Sequence, residues 1–267
     1  MPTAQPTFSA SLEDPNARRR GAVSGRRTRR LYAAGIAAEL LFATLHTTWL
    51  VGALVTNEAA SLPILALGVL AGVALGDAIS GLVHWACDTW GSPETPIVGA
   101  GLIRWFREHH DRPASILDHD AIEIHGQGAL AAAAALGLAA LPGIRDALLQ
   151  APALYALGLA AVVSAAFANQ AHQWAHTPRA PRLVRGLQRR GLLLSPGHHL
   201  QHHRPPHIGR YCITGGWLNP LLDRGAWRGL ERAIQWVTGV PPREDRGSEP
   251  TPPVSRETRP RTLAKDG

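Results

Sequence analysis

The sequence predicts an all-α protein: a multi-pass membrane helical bundle of about four transmembrane helices with a histidine-rich helical cap. The apolar residues predict the spans, because four runs are each about long enough to cross a hydrocarbon core, namely residues 31–56, 61–83, 128–144 and 151–168. The histidines predict the cap, because twelve of the thirteen lie outside these runs, between His84 and His207.

Each run has its own features. The first follows an arginine-rich segment and contains His46, which is either a packed polar residue or part of a substrate tunnel. The second contains Asp77, a costly charge in a span, which either hydrogen-bonds a metal-binding histidine or lies at the interface. The third is nearly all Ala, Leu and Gly, and Ser164 interrupts the fourth. Four buried core helices of a soluble protein are the alternative, but little amphipathic sequence remains to cover them.

The charge distribution predicts the topology. Arginines immediately before Leu31 place the N-terminus in the cytoplasm by the positive-inside rule, and the arginines of residues 179–190 place that segment there too. No signal-peptide pattern is evident, so we interpret the first apolar run as a retained span. We expect a multi-pass integral protein of the bacterial inner membrane. We expect residues 1–28 to form a disordered basic tail, residues 29–240 the membrane domain and residues 241–267 a disordered tail. No nucleic-acid motif occurs, and the net charge of +7 is explained by orientation and anionic lipid.

An even number of crossings brings the histidine clusters to one face, which we expect to be cytoplasmic. His84 and Asp88 are four residues apart, as are His172 and His176, and helical residues four apart share a face. Imidazole is the commonest protein metal ligand, and the number of candidates exceeds what one tetrahedral zinc uses. The clusters therefore indicate two metals, or one metal with many outer partners.

Several carboxylates crowd these histidines. We assign Asp88 and Asp120 roles in orienting imidazoles, Asp88 because of its spacing from His84 and Asp120 because it adjoins His119. A solvated loop charge is the alternative for each. Cys87 and Cys212 show no metal-binding spacing and are interpreted as filler.

Four motifs in order resemble the plasmanylethanolamine desaturase family: GDAISGLVHWACDTWGSPETPIVG, LIRWFREHHDRPASILDHDAIE, ANQAHQWAH and HHLQHHRPPHIGRYCITGGWLN. The resemblance covers about residues 65–245. It implies an oxygen-dependent membrane lipid desaturase that converts the alkyl ether chain of a phospholipid to the vinyl ether of a plasmalogen. It also implies a centre of two iron ions, whose matching histidines are His84, His109, His110, His119, His172, His176, His198, His199, His202, His203 and His207.

Residues 123–128 depart from the resemblance, since EIHGQG stands where the family reads ETNGDN. If this segment contacts the lipid headgroup, the departure affects headgroup choice. Removing hydrogen from a saturated chain needs dioxygen as co-substrate and two further electrons. No dinucleotide fingerprint or haem-attachment site is present, so we expect an external electron carrier, cytochrome b5 or a ferredoxin.

Three other functions compete with this interpretation. An acyl-lipid desaturase or hydroxylase would use the same iron site. A membrane zinc hydrolase would be expected to carry the HExxH motif, which this sequence lacks. A non-enzymatic metal carrier or membrane adaptor would bind iron without turnover.

Overall fold

The computed structural model describes residues 24–56 and 61–244, and every regular element in these ranges is helical. A π-helical turn, Gly99–Ile103, precedes α3, and a 3-10 helix, Pro113–Asp118, follows it. The α-helices of these ranges are α1 (Arg26–Thr56), α2 (Leu62–Thr89), α3 (Arg104–Asp111), α4 (Ala121–Ala139), α5 (Pro142–Leu149), α6 (Pro152–His176), α7 (Arg182–Arg189), α8 (Pro196–His202), α9 (Asn219–Leu222) and α10 (Ala226–Thr238).

Four of these helices, α1, α2, α4 and α6, are long and apolar enough to cross a membrane, which confirms the predicted bundle. The third span begins earlier than the apolar run because the carboxylate of Asp120 caps α4 by accepting from the Glu123 amide. It ends at Ala139, since Pro142 starts the separate helix α5. Residues 26–28, expected in the N-terminal tail, belong to α1, and the rest of that tail lies outside the described ranges apart from residues 24 and 25.

Glycines bring α2 and α6 into close contact. Gly68, Gly72 and Gly76 are four residues apart and therefore share one face of α2. A Cβ atom on Gly72 would lie 2.3 Å from the carbonyl oxygen of Leu157 on α6. Small residues at this spacing allow transmembrane backbones to approach closely. The other spans are joined by packing of α4 against both α1 and α6.

His46 ties three spans together. It is fully buried, and its Nε2 lies 2.9 Å from the Leu136 carbonyl oxygen, to which it donates. The other ring nitrogen, Nδ1, lies 2.5 Å from the Tyr155 hydroxyl, which donates in return. These contacts join α1, α4 and α6, so the structure favours the packed polar role over the tunnel.

All the histidine clusters meet at one end of the bundle. The N-terminal ends of α1 and α4 are joined there by an ion pair of 2.8 Å between Arg29 and Asp120. The C-terminal ends of α2 and α6 reach the same end. The later helices cover it, and α10 packs Trp227 against Trp85 with ring centroids 5.3 Å apart. Cys87 and Cys212 are buried without a disulfide.

Candidate metal centre

Nine side chains at this end form two groups of converging ligand atoms. In each group the atoms that could bind a metal lie within 4.8 Å of one another. All nine residues are buried except His203, which is half-buried. The five-histidine group consists of His109, His172, His176, His199 and His203. The mixed group consists of His84, Asp88, His110 and His202.

Helical geometry explains how the sequence fills two groups. His172 and His176 are one turn apart on α6, and His84 and Asp88 are one turn apart on α2, so each pair serves one group. Adjacent helical residues point about 100° apart. The doublet His109–His110 at the end of α3 therefore sends one ring to each group. His202 and His203 divide in the same way.

The ring nitrogens of the five-histidine group approach one another as ligands of one ion do. The Nε2 atom of His199 lies 2.7 Å from Nε2 of His172 and 2.9 Å from Nε2 of His203. Imidazole binds a divalent ion such as zinc at about 2.1 Å, so two nitrogens at right angles around an ion lie about 3 Å apart. The rings of His109 and His176 complete the group, with centroids 4.6 Å apart.

The mixed group combines three imidazoles with one carboxylate. Asp88 Oδ2 lies 3.3 Å from Nε2 of His84, 3.7 Å from that of His110 and 3.6 Å from that of His202. The Nδ1 atoms of His84 and His202 donate to the backbone carbonyls of Tyr211 and Gly209, at 3.0 and 2.8 Å. These bonds fix both tautomers and leave Nε2 for a metal.

The protonation state also suits metal binding. Burial holds the pKa values of His109, His199 and His202 well below the ordinary 6.5, and neighbouring histidines lower them further. The imidazoles are therefore neutral at neutral pH, which is the form that binds metal.

A metal would satisfy polar atoms that the protein leaves without partners. Among the described residues, both ring nitrogens of His109 and Nε2 of His176 are buried and accept or donate no hydrogen bond. Such atoms are costly unless something else binds them. Imidazole and carboxylate donors without a thiolate suit non-haem iron, so the two groups fit the expected ions.

Residues 73–245 match the lipid desaturase domain family. This chain belongs to that family. It is 43% identical to plasmanylethanolamine desaturase 1 of Mus musculus over 68% of this chain and 69% of that protein. It is 42% identical to the plasmanylethanolamine desaturase of Myxococcus xanthus over 66% and 63%, respectively. It is 35% identical to the chloroplastic fatty acid desaturase 4 of Arabidopsis thaliana over 72% and 58%. No solved structure matches.

Four residues that the sequence singled out lie outside the two groups of this desaturase. His119 stacks on Trp105 with ring centroids 4.3 Å apart, and its Nδ1 lies 3.2 Å from Oε2 of Glu123. Asp120 caps α4 and pairs with Arg29. The remaining two histidines lie in α8 and shortly after it. His198 Nε2 accepts from the Asn219 amide at 2.9 Å, and the ring of His207 stacks on that of His110 at 4.7 Å.

Asp77 anchors a loop of the desaturase rather than a histidine. Its Oδ1 accepts from the backbone amides of Thr214, Gly215 and Gly216 at 2.9–3.1 Å, and its Oδ2 accepts from Trp217 at 2.9 Å. This differs from the orienting role considered for it. Asp77 still supports the metal centre, because it holds residues 214–217 immediately after Tyr211, the residue whose carbonyl orients His84.

A cleft with a cavity volume of about 60 Å³ opens beside the five-histidine group. His109 and His172 form part of its wall, so a bound molecule would lie against two candidate ligands. The other lining residues are Trp105, Phe106, Ser115, Ile116, His119, Glu123, Ile124, Gln127 and Asn169. The sequence did not predict this cleft, since its walls combine residues 105–127 with residues 169–172, two segments that are distant in the chain.

Proposed function

We propose that this desaturase converts the alkyl ether chain of plasmanylethanolamine to the vinyl ether of a plasmalogen. Two hydrogens leave the two chain carbons nearest the ether oxygen. Dioxygen accepts them together with two electrons and two protons, and two waters form. Activity on this lipid is named for the mouse and Myxococcus relatives.

The adjacency of the two ligand groups is the observation that carries this proposal. The doublets His109–His110 and His202–His203 each contribute to both groups, so the two proposed irons would be neighbours. Bound iron would activate dioxygen, the oxidant that an inert saturated chain requires. His84 and His202, fixed through Nδ1, hold their Nε2 atoms in place, and burial excludes water from the site.

We further propose that electrons come from an external acidic carrier, cytochrome b5 or a ferredoxin, at the cytoplasmic face of a bacterial inner membrane. Residues 177–222 contain no Asp or Glu. The helix α7 exposes Arg182, Arg185 and Arg189 within this segment. An acid-free basic surface attracts an acidic partner and raises the rate of encounter.

The residues that line the cleft favour an ether-lipid substrate. A desaturase acting in mid-chain needs an apolar tunnel beside its metals. Here Glu123, Gln127 and Asn169 line the cleft together with His109 and His172. Polar side chains this close to the candidate ligands suit a substrate whose reacting carbons lie next to oxygen atoms.

An acyl-lipid desaturase is the second candidate, because the Arabidopsis relative is named a fatty acid desaturase. The two functions predict different products. An acyl-lipid desaturase places its double bond in an ester-linked chain, and such products survive mild acid, whereas vinyl ethers do not.

Expression in cells that make plasmanyl but not plasmenyl lipids tests the proposed function. We expect acid-labile vinyl ethers with the wild-type protein and none with His84→Ala. Unchanged ether lipids in cells whose expressed protein is loaded with iron would reject the proposal. A new double bond in ester-linked chains would instead establish the second candidate.

A further inference from the structure

The cleft lies close to the histidine-bearing end of the bundle. Gln127 is six residues beyond the start of α4, which corresponds to about 9 Å along the helix axis. Asn169 lies seven residues before the end of α6, at a similar distance from the same end of the bundle. The polar layer of a bilayer leaflet is about 5–8 Å thick. With that end of the bundle at the membrane surface, a molecule in the cleft sits where headgroup and chain meet.

The amide side chains of the cleft present hydrogen-bond acceptors. Gln127 uses its nitrogen to donate to the Tyr32 hydroxyl and to the Gly101 carbonyl. Asn169 uses its nitrogen to donate to the Ile124 carbonyl at 3.4 Å. Within residues 24–56 and 61–244, no donor bonds to either amide oxygen. Both oxygens can accept hydrogen bonds from a ligand.

The formal charge around the cleft is negative. Glu123 lines it and is buried. Its Oε1 accepts from the amide and the hydroxyl of Ser24, both at 2.6 Å, and its Oε2 lies 3.2 Å from Nδ1 of His119. Arg29 lies 3.8 Å from Glu123 and 2.8 Å from Asp120, so the two carboxylates and this one guanidinium sum to one negative charge. No lysine or arginine lines the cleft. Trp105 and Phe106 add aromatic faces, which attract cations.

We propose that this cleft is the headgroup subsite and that it recognises a primary ammonium through Gln127, Asn169 and the charge of Glu123. The proposal rests on the proposed lipid desaturase function of the adjoining metal centre. A primary ammonium offers three N–H donors to the two amide oxygens, whereas a trimethylammonium offers none. An anionic headgroup such as glycerol phosphate meets the negative charge of Glu123.

Turnover of three plasmanyl lipids with the same chains tests the subsite. The lipids carry ethanolamine, choline or glycerol headgroups and are presented to iron-loaded full-length protein in nanodiscs with an electron carrier. We expect the wild type to prefer ethanolamine. Gln127→Met should lower kcat/KM for the ethanolamine lipid by about tenfold, since a hydrogen bond to a charged group is lost. The choline lipid should change less than about twofold, because it donates no hydrogen bond.

Matched variants distinguish a loss of headgroup recognition from a general disruption of the protein. Gln150→Met makes the same exchange at an exposed residue after α5 and should leave all three rates unchanged. Gln127→Glu retains an acceptor, adds charge and should restore the preference for ethanolamine. Equal losses on all three lipids with Gln127→Met, or no wild-type preference, would overturn the subsite.

Binding distinguishes failure of the subsite from failure of the proposed function. Native mass spectrometry with ester-linked phosphatidylethanolamine and phosphatidylcholine needs no turnover. Selective loss of the ethanolamine lipid with Gln127→Met supports the subsite even if no vinyl ether forms. Vinyl ether formation combined with equal retention of both lipids supports the proposed function and rejects the subsite.

Discussion

Two histidines of α8 that are four residues apart have different surroundings. His202 belongs to the mixed group, and its Nδ1 is held by the Gly209 carbonyl. His198 lies outside both groups and bonds to Asn219 instead. Their four-residue spacing does not distinguish the two histidines. The role of each depends on which turn of the helix faces the metal centre.

We therefore expect His202→Ala and His198→Ala to differ. His202→Ala removes a candidate ligand and should abolish vinyl ether formation and lower the iron content of the protein. His198→Ala, in the same helix, should retain both ions. Iron analysis of the purified variants, beside lipid analysis, checks the difference. Equal iron loss in the two variants would contradict the division into groups.

The buried imidazoles predict a pH dependence of stability. The pKa values of His109 and His199 lie well below 6.5 in the folded protein and return to about 6.5 on unfolding. Between the folded and unfolded pKa values the unfolded chain binds more protons. Their contribution to stability is complete above about pH 6.5 and is lost as the pH falls below it.

Thermal unfolding of metal-free protein in detergent, from about pH 8 to about pH 5, measures this effect. We expect a constant unfolding temperature above about pH 6.5 and a progressive fall below it. Metal-loaded protein should begin to fall at a lower pH, because bound metal competes with protons for the imidazoles. A flat profile for the metal-free protein would refute the prediction.

At the scale of elements, the contact between α2 and α6 positions ligands of both groups. His84 and Asp88 extend from one helix, and His172 and His176 extend from the other. Side chains on these helices can converge only if the backbones approach closely at the glycine face of α2. A change deep in the bundle therefore affects the ligands by moving a whole helix.

Gly72→Ala tests this dependence against Gly158→Ala. The new Cβ at residue 72 would lie 2.3 Å from the Leu157 oxygen, and overpacking of this kind costs about 1–3 kcal/mol. A Cβ at residue 158, also in a span, meets nothing within 4 Å. The free energy of unfolding in detergent and the iron content should both fall for Gly72→Ala only. Equal effects would show that the close approach is unimportant.

For the molecule as a whole, four crossings place the entire centre on one side of the bilayer. Ligands that come from α2, α3, α6 and α8 lie within one site, so the segments carrying them cannot face opposite compartments. The turn at Gln150, between α5 and α6, lies at the other end of the bundle.

Cysteine labelling in membrane vesicles tests this topology. Cys87 and Cys212 are buried and give little background. Leu200→Cys, at a position 46% exposed on α8, should react with an impermeant reagent only from the cytoplasmic side. Gln150→Cys should react only from the opposite side. Labelling of both positions from one side would require an even number of crossings between them and would contradict the single crossing of α6.

Local sequence patterns predicted much of this architecture. Apolar length gave four spans, and four-residue spacing gave the pairs on α2 and α6, because both are properties of single helices. The third span was displaced because capping by Asp120 starts α4 before its apolar residues begin. The four-residue spacing of the glycines on α2 was available in the sequence and could have predicted its contact with α6.

The grouping of ligands could not be predicted in the same way. The 2.9 Å approach of His110 to His202 joins residues 92 positions apart, and no local pattern specifies it. Asp88 was predicted to orient an imidazole, yet the fold places its carboxylate among three Nε2 atoms. The assignments of His119, His198 and His207 as ligands, and of Asp120 as an orienting residue, remain predictions, although none of the four lies in either group.

The shared histidine doublets make the two sites mechanically inseparable. A shift of α3 carries His109 and His110 together, so neither site can be adjusted without disturbing the other. Conversely, an ion that binds one ring of a doublet also orders the backbone that carries the second ring. The second ion then binds without the entropic cost of ordering that backbone. Loading should accordingly be cooperative, with singly occupied protein rare at every ratio of iron to protein.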